Sequence, residues 1–187
     1  MRLLAICGSV APSRRTRTLL ELALAAARSA GADVETALLD LHDTSLELCD
    51  GRPLEAYSPV TQAAVQQVIA ADAFLIGTPI YRAAYTGALK NLFDLTPREQ
   101  LVGKVAGLLA TGASEHHFLA LEHELRPLLS FFRCHTVPGV VYAAPRHFNA
   151  DGSPGEALAA AVRLLAEDTV ALCRAIGGRA AGPDLLL

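Results

Sequence analysis

Residues 8–18, reading Gly-Ser-Val-Ala-Pro-Ser-Arg-Arg-Thr-Arg-Thr, crowd hydroxyls and guanidiniums into one short loop. Ser9, Ser13, Thr16 and Thr18 can donate hydroxyl hydrogen bonds, while Arg14, Arg15 and Arg17 add charge and planar donor forks that match phosphate oxygens. The loop follows the apolar run Leu3-Leu4-Ala5-Ile6-Cys7 and precedes Leu19, Leu20, Leu22, Ala23 and Ala26 at helical spacing. It therefore joins a buried strand to the start of a helix. Unpaired amides and the helix dipole favour negative charge at such a junction. The chemistry is that of an anion cradle, suited to a phosphorylated ligand. The same residues also fit a capped helix with a solvated basic turn, since arginine is mostly exposed in any case. Neither GxGxxG nor GxxxxGK[ST] is present.

Two more loops carry polar groups. Thr78 and Pro79 end an apolar run and lead into Ile80, Tyr81, Arg82 and Tyr85, for which loop packing and a solvated charge are equally open readings. Thr111-Gly112-Ala113 ends another apolar run, where small residues let main-chain amides approach a ligand. His116, His117 and His123 suggest a metal cluster at first sight. However, HExxH is absent and the spacing fits no usual zinc pattern, so solvated or interface histidines are expected. Cys7 lies inside a strand-like run and no Cys-x5-Arg pattern exists, which argues against a cysteine phosphatase.

The elements that must position these loops follow from periodicity and punctuation. Strands are expected at 2–7, 34–39, 73–77, 105–110 and 137–142, the last with an irregular start at Pro138. Helices are expected at 16–29, from Ser58-Pro59 through Ile69, after Gly87 through Leu89, Leu92 and Phe93 with a stop before Pro97, at 115–132, and from Ser153-Pro154 to Gly177. Ser153 and Glu156 read as a capping box around Pro154. Residues 42–57 form a long loop. Pro127, inside a helix, removes its own donor and crowds the His123 carbonyl, so a kink or a π-bulge is expected near His123. Continuous apolar strands alternating with helices specify an α/β fold: a doubly wound, five-stranded parallel sheet in three layers. Ligands then bind beyond the carboxyl ends of the strands, where all three loops lie.

The 187 residues suit one domain, expected over 1–178 with a mobile tail at 179–187. A 52% apolar content excludes global disorder, and a net charge of −3 gives no reason to expect nucleic acid as the main partner. Four widely spaced cysteines, no secretory signal and no run of membrane-spanning length lead to the expectation of a cytoplasmic protein.

Together, Gly8-Ser9 with SRRTRTLL, TPIYRAAYTGALKNLFD from Thr78 and ATGASEHHFLALEHELRPLL from Ala110 resemble the flavodoxin-like NADPH-dependent FMN reductases. The likeness is strongest to the flavin reductases of two-component alkanesulfonate and methanesulfonate monooxygenase systems. It covers most of the chain and fades in 42–57 and after Phe148. The resemblance implies that Ser9, Arg15, Thr16 and Thr18 hold the FMN phosphate. It places Thr78, Pro79, Ile80, Tyr81 and Arg82 along the flavin ring, and Thr111, Gly112 and Ala113 at its other edge. Arg15 is the arginine expected on the phosphate, with Arg14 and Arg17 as solvated neighbours or contacts for the nicotinamide dinucleotide. Hydride transfer from NADPH or NADH needs no protein acid or base, because the protein stacks the two rings. The implied partners are a monooxygenase that uses reduced FMN and further copies of the chain, in a dimer or tetramer. A quinone, azo or chromate reductase that retains FMN is the alternative, while absence of Trp and the small net charge disfavour a flavodoxin-type electron carrier. The alkanesulfonate-type relatives carry a tyrosine at a π-helical interface position where this chain has His123.

Overall fold

The structure, a computed structural model, describes residues 1–182. Five parallel strands form one sheet: β1 (Arg2–Cys7), β2 (Glu35–Asp40), β3 (Ala73–Pro79), β4 (Val105–Thr111) and β5 (His135–Ala143). Their order is β2-β1-β3-β4-β5. Strand order reverses between β1 and β3, as in flavodoxin-like sheets, so a crevice opens beyond the carboxyl ends of those two strands. The register aligns Cys7 with Gly77 across β1 and β3, and Pro79 with Thr111 across β3 and β4. All three polar loops thereby leave the sheet at one edge.

Alternation along β1 sends Leu3, Ala5 and Cys7 to one face and Leu4 and Ile6 to the other. The first face packs under α1 (Arg15–Ser29) and α5 (Glu156–Ile176), through Leu19, Leu20, Ala23, Val162, Leu165 and Val170. The second packs under α2 (Pro59–Ala70), α3 (Gly87–Asp94) and α4 (Arg126–Phe131), through Val65, Val68, Leu89, Leu92, Phe93 and Leu129. Full burial of side chains such as Phe74 and Ile76 contributes about 1.5–3 kcal/mol each. Both faces being covered explains why the strands read as unbroken apolar runs.

Most local expectations hold. Ser58 caps α2 by accepting from the Thr61 amide, with Pro59 in the first turn. Gly177 ends α5 with φ +58°, a left-handed conformation suited to glycine. At β5 the register shifts between Ala106 and Leu108, opposite the stretch holding Pro138 and Gly139.

Two expectations are corrected. The helix expected at 115–132 is instead turns up to residue 119, then a π-helical turn, Leu121–Leu125, running into α4. The Arg126 amide reaches back five residues to the Leu121 carbonyl, so the backbone absorbs the donor that Pro127 lacks. The irregularity centres on His123, as the proline suggests. The capping box at Ser153 does not form: α5 starts at Glu156 with Gly155 as its cap. Ser153 turns to Asp151 and Asn149, and Pro154 pairs with Phe148 in a short bridge, which takes these residues away from the helix. Over 179–182, within the expected tail, the Arg179 carbonyl bonds His135 at 2.8 Å and the Gly182 carbonyl accepts from Arg133 at 2.9 Å. The rest of that tail, 183–187, lies outside the described residues.

Candidate active site

β1 delivers Gly8 and Ser9 to the carboxyl edge of the sheet. The Gly8 amide donates to the Gly77 carbonyl at 2.7 Å, and the Gly8 carbonyl accepts the Thr86 hydroxyl at 2.6 Å. Thr86 also caps α3 by accepting from the Leu89 amide. A Cβ on Gly8 would sit 3.0 Å from that of Leu89, so a glycine lets β1, β3 and α3 converge. Ser9 is buried, and its hydroxyl accepts from the Ala11 amide. α1 then begins without a side-chain cap, and its first-turn residues Arg15 and Thr16 line a cleft of about 220 Å³.

The three arginines separate sharply. Arg14 reaches Asp40 at 3.1 Å and Asp43 at 3.4 Å, while Arg17 reaches the same carboxylates at 3.0 and 2.9 Å and Glu21 at 2.8 Å. Asp40 is buried between them at the end of β2, and the Arg14 hydrogen bond holds the Asp43 carboxyl below the usual range. Arg15 points the other way. Its guanidinium lies 5.2 Å from the centroid of the Phe148 ring, beside the cleft, and among the described residues no carboxylate pairs with it. Arg14, with its side chain 45% exposed, and Arg17, at 31%, are thus both paired with carboxylates. Their spacing of three puts them on one helix face toward the acids of the loop after β2, with Arg15 turned about 100° away per residue step. Asp40 and Asp43, equally spaced, were the available signal.

The second loop is shaped by backbone. Thr78 is fully buried and builds the turn: its hydroxyl donates to the Pro79 carbonyl at 3.0 Å and accepts from the Thr86 amide. Tyr81 and Ala84 exchange both main-chain hydrogen bonds around Arg82 and Ala83, whose φ values are +52° and +68°. Two consecutive non-glycine residues in the left-handed region make a tight hairpin turn at a cost of about 1–2 kcal/mol each. Among the described residues, the Arg82 and Ala83 amides find no protein acceptor. Both residues are exposed to solvent.

The third loop is tied to the first. The Thr16 and Thr111 hydroxyls meet at 2.9 Å in a buried contact, and the Ile80 amide donates to the Thr111 carbonyl at 2.8 Å. A Cβ on Gly112 would collide with the Tyr142 hydroxyl, which donates to the Ser114 carbonyl at 2.6 Å. Ala113 needs no glycine, since its φ is not positive.

Ser9, Arg15, Thr16, Pro79, Ile80, Tyr81, Thr111, Gly112 and Ala113 therefore come together around one cleft. Thr18, Thr78 and Arg82 do not. Thr18 spends its hydroxyl on the Arg14 carbonyl at 3.1 Å, Thr78 faces the turn interior, and the exposed Arg82 side chain lies off the cleft wall. Ser13 and Phe148 line the cleft as well. Phe148 follows β5, whose exit borders this edge, and that topological position is its sequence signal. Burial pushes the Cys7 thiol up to about 12, so it stays protonated and is no nucleophile. His116, His117 and His123 border a separate recess with Ala83 and Glu124.

Residues 1–149 match the family model described as NADPH-dependent FMN reductase. The chain belongs to that family. It is 44% identical over 149 residues to an NAD(P)H-dependent FAD/FMN reductase of Geobacillus thermodenitrificans, covering 80% of each protein. It is 36% identical over 167 residues to the NADH-dependent FMN reductase SfnF of Pseudomonas fluorescens, covering 89% of each. Among solved structures, the apo form of the NADH:FMN oxidoreductase EmoB superposes with a TM-score of 0.77 at 29% identity, over 91% of this chain and 89% of that one. Membership places the protein among the NAD(P)H-dependent FMN reductases, which are oxidoreductases. Among the described residues, no helix is long and apolar enough to cross a membrane.

Proposed function

We propose that the protein reduces FMN with NADPH or NADH and releases the reduced flavin to a separate monooxygenase. The observation that carries this reading is the sorting of the arginines: two are consumed by Asp40 and Asp43, and Arg15 alone is left at the cleft. A single cation beside Ser9, Thr16 and a helix start suits one terminal phosphate. The wall formed by Pro79, Ile80 and Tyr81, with Thr111, Gly112 and Ala113 on the same cleft, suits a flat ring. The residues present therefore fit FMN.

Bound FMN would supply the hydride-accepting ring. Arg15, Ser9 and Thr16 would hold its phosphate, and Pro79, Ile80 and Tyr81 would lie along the ring. Thr111, Gly112 and Ala113 would border the ring on the other side. No side chain at the cleft is required to move a proton, because alignment of donor and acceptor rings is the protein's contribution. The open cleft, with Tyr81 half-exposed at its rim, supports exchange of flavin with solvent.

Steady-state oxidation of NADPH and of NADH, each with FMN, FAD and riboflavin, tests the reading. FMN should give the lowest KM, and gel filtration of the loaded protein should strip the flavin. Stoichiometric FMN retained through the column would instead favour a quinone, azo or chromate reductase that keeps its flavin.

A further inference from the structure

Arg15 is the group on which phosphate recognition depends, yet no carboxylate fixes its position. What lies against it is Phe148. The ring packs on the apolar core beneath α1 and α5, while the Arg15 guanidinium sits over it, 5.2 Å from the centroid, and both side chains line the cleft. The backbone around Phe148 is fastened on each side. Its amide donates to the Pro145 carbonyl at 3.1 Å, the Gly155 amide to the His147 carbonyl at 2.8 Å, and the Asn149 amide to the Ser153 carbonyl at 2.8 Å. With Phe148 and Pro154 bridged, the ring is presented from a closed loop at the start of α5. The same bridge is what draws Ser153 and Pro154 away from capping that helix.

We propose that Phe148 is a specificity-determining positioning residue: it holds the Arg15 guanidinium by a cation–π contact and so sets how strongly the enzyme prefers phosphorylated over unphosphorylated flavin. The proposal rests on the reading of the cleft as an FMN site. A carboxylate in this place would neutralise the arginine and compete with the phosphate. An aromatic face orients the guanidinium while leaving all of its donor hydrogens for the ligand's oxygens. Arg14 and Arg17, clamped by Asp40 and Asp43, show the opposite solution for side chains that are structural.

The experiment compares the ratio of riboflavin KM to FMN KM in wild type, Phe148→Leu, Phe148→Tyr and Arg15→Ala, and in the double variant Phe148→Leu/Arg15→Ala. Wild type should show a large ratio, and a ratio near one would remove the phosphate reading and this proposal with it. Given that preference, Phe148→Leu should lower the ratio about fivefold by weakening FMN more than riboflavin, whereas Phe148→Tyr, which keeps the aromatic face, should retain it. In the Arg15→Ala background Phe148→Leu should change the ratio no further, because the two side chains act as one unit. An unchanged ratio in Phe148→Leu, an equal rise in both KM values, or independent effects in the double variant would each overturn the proposal while leaving the FMN reading intact. Should Phe148→Leu not fold, the Phe148→Met variant replaces it, filling the site without a π face.

Discussion

At the end of the cleft built from residues 8–18, side chains hold one another. Thr16 meets Thr111, Thr86 bonds the Gly8 carbonyl, and Asp40 clamps Arg14 and Arg17. At the other end, from Tyr81 to Ala84, the shape is held by main-chain hydrogen bonds around two residues in left-handed conformations. The first end is stabilised by its contacts. The second stores strain, which the surrounding fold must offset. Removing the groups that bond one another at the first should therefore cost stability, whereas relaxing the second should add it.

The largest effect is expected at Asp40. Replacing it with Ala leaves Arg14 and Arg17 without their buried partner and frees the His42 amide it also accepts. Loss of one member of a fully buried ion pair costs about 3–5 kcal/mol, and the part-exposed arginines reduce this to about 2–3 kcal/mol. Urea unfolding should show that fall in midpoint with little change in slope. A midpoint equal to wild type would mean that the clamp does not hold this end together.

Next comes Arg15→Ala. It should weaken FMN binding by about 1–3 kcal/mol, the range for a lost charge-assisted contact, with unfolding stability close to wild type because the side chain is exposed. A fluorescence titration giving unchanged FMN affinity would remove Arg15 from the phosphate end. Thr16→Val should cost somewhat less, about 1–2 kcal/mol of stability, by leaving the buried Thr111 hydroxyl without its partner. Adding Thr111→Val to it should recover much of the loss. Strictly additive losses would show that the two hydroxyls are not coupled.

The contrast also explains what the sequence displays. The side-chain end is legible because its chemistry resides in residue types: serines, threonines and arginines after a Gly-ended strand announce an anion loop. The pairing of Arg14 and Arg17 with Asp40 and Asp43 also left a trace, in the matching three-residue spacing of the two pairs. The sheet shows through its unbroken apolar strands, and Pro127 announces the irregularity at His123 because a missing amide must be absorbed somewhere. Backbone conformation is far less visible. Nothing in Arg82 or Ala83 signals positive φ, since neither is glycine or asparagine and the turn is imposed by pairing of Tyr81 with Ala84. Phe148 was hidden for a related reason, because its role depends on a tertiary approach between the loop after β5 and the start of α1. The same loop turned a plausible capping box into a bridge.

Ala83→Gly is expected to have the smallest effect on stability and is the sharpest test of the strained end. The residue carries φ +68°, which a methyl side chain disfavours and glycine accepts. Relief of that strain is opposed by the greater freedom of glycine in the unfolded chain, so the net gain should be about 0.5–1 kcal/mol. Thermal unfolding should record it as a modest rise in Tm. The turn would then hold its shape less rigidly, so Tyr81 on the cleft wall would be less well positioned and the KM for FMN should rise even as the fold becomes more stable. A variant that gains stability and keeps the wild-type KM would show that the strain does not serve the site. A variant that loses stability would show that the left-handed pair is not strained, and the difference between the two ends of the cleft would disappear.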